Sequence, residues 1–163
     1  MKTRNSYKYF FNCFVLTIPI LIWNIVLTDK LPKTTKPEIV LQNISPFIIY
    51  GENISRAVVF AMMVFMPIQI SKTIQKQGLL IFVFGTLLYF ASWLVLIYYP
   101  HSLWSKSVFG VLSPAYTPII WLIGIGLIGD SFYFKLPYKR WVFISLSIVF
   151  LVFHNIHTNK IYF

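Results

Sequence analysis

Apolar residues fill five long stretches of this chain, and the polar residues inside each stretch gather toward one of its ends. A helix that crosses the hydrocarbon of a bilayer needs about 20 mainly apolar residues, at about 1.5 Å rise each. That requirement places helices at about Tyr9–Leu27, Pro46–Ile70, Gly78–Tyr99, Val108–Gly129 and Tyr138–His157. The separators carry turn and breaker residues: Asp29 to Pro37 with two prolines, Ser71 to Gln77, Pro100 to Lys106, and Asp130 to Pro137. Within the first separator, Pro37–Ile44 reads either as a short interfacial helix or as an extension of the second helix. The expected fold is an all-α integral membrane protein, one domain over residues 1–163 built as a bundle of five transmembrane helices.

The first helix follows Lys2, Arg4 and Lys8, a basic start that also suits a signal peptide. Its apolar stretch exceeds the usual ~7–15 residues of a cleaved signal, and no small-x-small site follows. It therefore reads as a retained signal anchor, with Pro19 expected to kink it.

The basic residues orient the bundle. With the N-terminus inside, the inner side collects Lys2, Arg4, Lys8, Lys72, Lys76, Lys135, Lys139 and Arg140. The outer side collects Lys30, Lys33, Lys36, Lys106 and Lys160, and Arg56 falls within the second helix. Eight against five favours an N-in, C-out arrangement, because cytoplasmic loops accumulate Lys and Arg. The expected home is the plasma membrane.

Composition agrees with a bilayer. The chain of 163 residues is 58% hydrophobic and 11% charged, with a mean hydropathy of +0.73. A soluble domain averages ~45–50% apolar and ~25% charged residues. The length holds one domain and leaves no room for a separate soluble one. A net charge of +10 would suggest nucleic acid in a soluble protein. Here the cations lie between apolar runs, and no basic face alternates with aromatics on a soluble element, so nucleic acid is not an expected partner. Cys13 is the single cysteine, so it forms no intramolecular disulfide and says nothing about compartment.

The N-in arrangement brings the polar residues of all five helices to the outer side. Asn24 ends the first helix, and Glu52, Asn53, Ser55 and Arg56 begin the second. Ser92, Trp93, Tyr98 and Tyr99 end the third, with His101 beyond. Ser113, Tyr116 and Thr117 begin the fourth; His154, Asn155 and His157 end the fifth. Residues three or four apart share a helix face. Thr17, Asn24 and Thr28 make one stripe; Tyr89, Ser92 and Tyr99 a second; Ser113, Tyr116, Thr117 and Gly124 a third; Ser147, His154 and His157 a fourth. Polar groups are costly in lipid, so such stripes face the bundle. They make either a polar cavity or a packed hydrogen-bonded core.

Glu52 and Arg56 carry the sharpest signal, because Glu four residues before Arg is the favourable order for a helical ion pair. One reading is structural: a pair, or an arginine reaching for the headgroups. The other is functional. Arg56 would hold an anionic group through its planar fork, with Asn53, Ser113, Tyr116 and Thr117 as further ligand-binding residues. Glu52, His154 and His157 are the candidate catalytic residues, as general acids or bases. His154 and His157, three apart, could also share a metal with His101 or Glu52, but two histidines at a helix end make a weak metal signature; neither a metal nor a cofactor is expected.

Other features have plainer readings. Trp23, Trp93, Trp104, Trp121 and Trp141 lie mostly near helix ends, where tryptophan anchors membrane proteins. Gly124–Gly129 matches G-x-G-x-x-G, but no strand precedes it and no helix opens there. Close helix packing explains these glycines, and Gly85 and Gly110 likewise. Pro114 and Pro118 free backbone carbonyls in the fourth helix, which either kink it or line a cavity.

Two functional classes follow. The first is a small intramembrane enzyme or binding protein whose outward-facing site takes a lipid-like, anionic small molecule. The second is a non-catalytic accessory subunit of a larger membrane complex or transporter, packed against a membrane-protein partner or a second copy.

Overall fold

The computed structural model of the protein describes residues 11–31 and 44–163. Lys2, Arg4, Lys8, Lys33, Lys36 and nearly all of Pro37–Ile44 lie outside the described residues. The described residues are helical, and none forms a strand. Four stretches are long and apolar enough to cross a membrane: Cys13–Lys30, Pro46–Phe65, Thr73–Tyr98 and Arg140–Tyr162. A fifth apolar segment, Ser113–Ile128, is shorter.

The first stretch is a 3-10 turn at Cys13–Thr17, then α1 (Ile18–Leu27), then a second 3-10 turn at Thr28–Lys30. Pro19 sits in the first turn of α1, where its missing N–H is harmless, so the proline marks the change of helix type. Helix α2 (Pro46–Phe65) stops five residues before the expected Ile70. Pro67 is the reason: it forces Met66 out of helical space (φ −93°, ψ 113°). Helix α3 (Thr73–Tyr98) begins earlier than expected. The side-chain oxygen of Gln75 accepts from the Ser71 and Lys72 N–H groups, both at 3.0 Å, and so caps its first turn.

The expected fourth helix is divided into α4 (Leu103–Lys106), α5 (Val108–Val111), α6 (Ser113–Tyr116) and α7 (Pro118–Ile128). Ser102 and Ser107 cap the first two, accepting from Ser105 N (3.1 Å) and Gly110 N (3.0 Å). Pro114 and Pro118 occupy the first turns of α6 and α7. Helix α8 (Arg140–Tyr162) completes the fold.

Helix α7 is the centre of the bundle. Seven of its 11 residues are buried, whereas the four long stretches are each less than a third buried. An apolar helix this short fits a position enclosed by protein rather than one facing lipid. It runs antiparallel to α3 through glycines. A Cβ added to Gly124 would stand 2.5 Å from Phe82 N and 2.7 Å from Gly78 O; one on Gly85 would stand 2.5 Å from Trp121 N. These backbones touch, as small residues allow in membrane helices.

Helix α2 packs antiparallel on α8, with Val59, Met63 and Phe143 fully buried. One end of the bundle is tied by polar groups. Cys13 N–H donates to Met66 O (2.8 Å), Gln75 Nε2 to Ile128 O (3.2 Å), and Lys72 pairs with Asp130 (2.8 Å). The opposite end holds the site.

Candidate functional site

Gly51 sets the geometry. A Cβ there would fall 2.5–2.8 Å from the ring of Phe153, so glycine lets α8 cross α2 at close range. The next residue, Glu52, is only 3% exposed and faces α8. Three basic side chains converge on its carboxylate. Arg56 Nη2, one turn along α2, donates to Oε1. His154 Nδ1 donates to the same oxygen at 3.0 Å. His157 Nδ1 donates to Oε2.

This cluster satisfies a buried charge with an opposite charge and directed hydrogen bonds, the condition under which burial is tolerable. It also selects a tautomer. Each imidazole gives its Nδ1 hydrogen to the carboxylate, so in the neutral ring Nε2 is the free base. Phe150 supports two members: its ring stacks on His154 (centroids 5.6 Å apart) and lies 5.8 Å below the Arg56 guanidinium carbon.

His154 reaches beyond the cluster. It lines two adjoining cavities of about 290 and 220 Å³ that share Asn24, Tyr89, Pro114 and His154 as walls. The larger continues past Thr28 and Thr158 to Tyr162. The smaller runs between Ile20, Phe60, Trp121 and Phe150, and Arg56 borders it. Across from His154, the Tyr89 hydroxyl donates to Asn24 Oδ1 at 2.6 Å. Trp121, 5% exposed, keeps its indole N–H without a hydrogen-bond partner among the described residues.

The other sequence candidates are placed elsewhere. Ser113 and Thr117 turn their hydroxyls to their own chain, donating to Gly110 O (2.6 Å) and Ser113 O (2.7 Å). Tyr116 is half-buried and Asn53 exposed, and no hydrogen bond joins either to the Glu52 cluster. His101 is exposed on the turn after α3. Among the described residues no three His, Cys, Asp or Glu are grouped to hold a metal ion.

Two contacts were not foreseen from sequence. Asn24 was read only as one polar member of a stripe, yet it pairs with Tyr89 across helices. Asn155 Nδ2 donates to Ala115 O at 3.1 Å, fastening α8 to a carbonyl next to the break between α6 and α7. Pro118 was the available signal, because a proline in a helix leaves a backbone carbonyl without its usual donor.

No protein-family model, characterised protein or solved structure matches this chain.

Proposed function

We propose that the protein is a five-helix, N-in/C-out protein of the plasma membrane whose outward-facing site binds a lipid-like, anionic small molecule and transfers protons with it. The observation that carries this reading is His154, which is held by Glu52 on one side and lines both cavities on the other. The cavity walls are mainly apolar, suiting a lipid tail, and their polar groups converge at His154, Tyr89 and Asn24.

Charge supports an anion. Arg56 balances Glu52, so protonation of either histidine leaves the cluster positive. His154 Nε2, basic while Nδ1 is tied to Glu52, is placed to take a proton from a bound hydroxyl or acid and to return it. Arg56, bordering the smaller cavity, holds the negative group.

Native mass spectrometry of the gently extracted protein tests the reading. A lipid should be retained by the wild type and lost from His154→Gln. Its retention should vary between about pH 5 and 8, the range in which histidine ordinarily titrates, and that variation should be absent in the variant. A protein partner in place of any lipid would overturn the proposal in favour of the accessory-subunit reading.

A further inference from the structure

The end of the bundle opposite the cavities holds a second cleft, of about 510 Å³, lined by Lys72, Asp130, Tyr138, Lys139, Arg140 and Trp141. Its walls carry three cations and one carboxylate. That carboxylate is already engaged, Oδ2 by Lys72 at 2.8 Å and Oδ1 by Ser131 at 3.3 Å. Arg140 is not: its Nε is buried without a hydrogen-bond partner, and it forms no ion pair among the described residues. A buried guanidinium nitrogen left unpaired is costly, so an acceptor is missing from its surroundings.

The backbone offers more donors at the same place. Arg140 opens the 23-residue helix α8, no acidic residue lies in its first turn, and its N-cap Lys139 makes no side-chain cap. The start of such a helix presents free N–H groups and the positive end of the dipole. Tyr138 fixes the wall by donating its hydroxyl to Gly126 O at 2.9 Å. Trp141 is 65% exposed beside the cleft, a position that suits an anchor at the membrane–water boundary.

We propose that this cleft binds a net-anionic phosphate group, with the Arg140 fork and the first N–H groups of α8 on its oxygens and Lys139 supplying further charge. Arginine and a helix N-terminus are the two protein features best matched to phosphate. Basic pockets between membrane helices take acidic headgroups, and the neighbouring Trp141 favours a phospholipid over free phosphate as the source. The site is independent of the Glu52 cluster, and it stands or falls without it.

The test uses the full-length protein in micelles, given phosphatidylglycerol, phosphatidylcholine or inorganic phosphate, with adducts read by native mass spectrometry. Phosphatidylglycerol should be retained in preference to phosphatidylcholine. The Lys139→Gln/Arg140→Gln variant should weaken that retention roughly tenfold or more, since each basic residue near the headgroups contributes on the order of a kilocalorie. His154→Gln, at the other end, should leave it unchanged. Should Arg140→Gln fail to fold, Lys139→Glu, at an exposed side chain, carries the same expected loss. Competition by millimolar inorganic phosphate would assign the site to free phosphate; no competition would assign it to the headgroup. Equal retention of the two lipids, or undiminished retention by the variants, would overturn the proposal.

Discussion

Glu52 is almost fully enclosed while three basic side chains share its two oxygens, so its replacement has a computable consequence. Leucine there removes the only acceptor for Arg56, His154 Nδ1 and His157 Nδ1. Hydrogen bonds to a charged group contribute about 1.5–3 kcal/mol each, less where water can replace the lost partner. Arg56 is 42% exposed and can turn to water, so the net loss for Glu52→Leu should be about 2–3 kcal/mol, read as a lowered unfolding temperature in detergent. Arg56→Leu should impair ligand retention far more than Lys106→Leu, which alters an exposed side chain; equal effects would remove Arg56 from the site. The Lys72–Asp130 pair behaves differently. The Lys72 ammonium, hydrogen-bonded to the carboxylate, holds Asp130 below the usual carboxylate range. A depressed carboxyl stabilises the fold above its unfolded value of about 4, and that contribution disappears as pH falls through the lower folded value. Lys72 is 62% exposed, so Lys72→Met should cost no more than about 1 kcal/mol near neutral pH. Near pH 2 wild type and variant should unfold alike; a difference that persists there would mean that Lys72 acts through something other than Asp130.

Elements were legible in the sequence to the extent that they are governed by local chemistry. Glu52 to Arg56 and His154 to His157 follow from helical spacing alone. The common depth of these four follows from counting residues along antiparallel helices. The end of α2 was misplaced because Pro67 lies inside an apolar run whose composition still suits a membrane helix. The division of the fourth helix was harder to see. Its capping residues Ser102 and Ser107 and its prolines were visible, but hydrophobicity averaged over Val108–Gly129 concealed them. The stripe of Ser113 and Thr117 misled for another reason: hydroxyls in helices satisfy themselves on their own backbone, and spacing does not reveal which ones do. Close packing sharpens into a prediction. Gly124→Ala would press its methyl against the backbone of Phe82 and Gly78, whereas Gly126→Ala would meet only the side chains of Ile144 and Phe143 at 3.0 Å. Overpacking costs about 1–3 kcal/mol when neighbours cannot move. Gly124→Ala should therefore lower the unfolding temperature distinctly more than Gly126→Ala, and similar shifts would mean that the α3–α7 contact is looser than it stands here.

At the scale of the whole molecule, the cavities and the phosphate cleft lie at opposite ends of one antiparallel bundle, so orientation decides which leaflet each one meets. The larger cavity reaches Thr158 and Tyr162 near the end of α8, while Lys135 lies in the loop between α7 and α8, beside the other end. The excess of Lys and Arg on the Lys135 side assigns that side to the cytoplasm. Cysteine labelling reads this directly, because the only natural cysteine, Cys13, is fully buried. Lys160→Cys and Lys135→Cys place single thiols at two exposed positions. In intact cells a membrane-impermeant maleimide should modify Lys160→Cys and spare Lys135→Cys, and permeabilised cells should expose both. That pattern would admit a lipid to His154 from the outer leaflet and turn the Arg140 cleft toward the acidic cytoplasmic leaflet, where an anionic headgroup is most abundant. The reverse pattern would leave both sites intact as geometry and exchange their leaflets. The ligand of the Glu52–His154 site would then have to come from inside the cell, and the Arg140 cleft would lose the lipid surface that best supplies its phosphate.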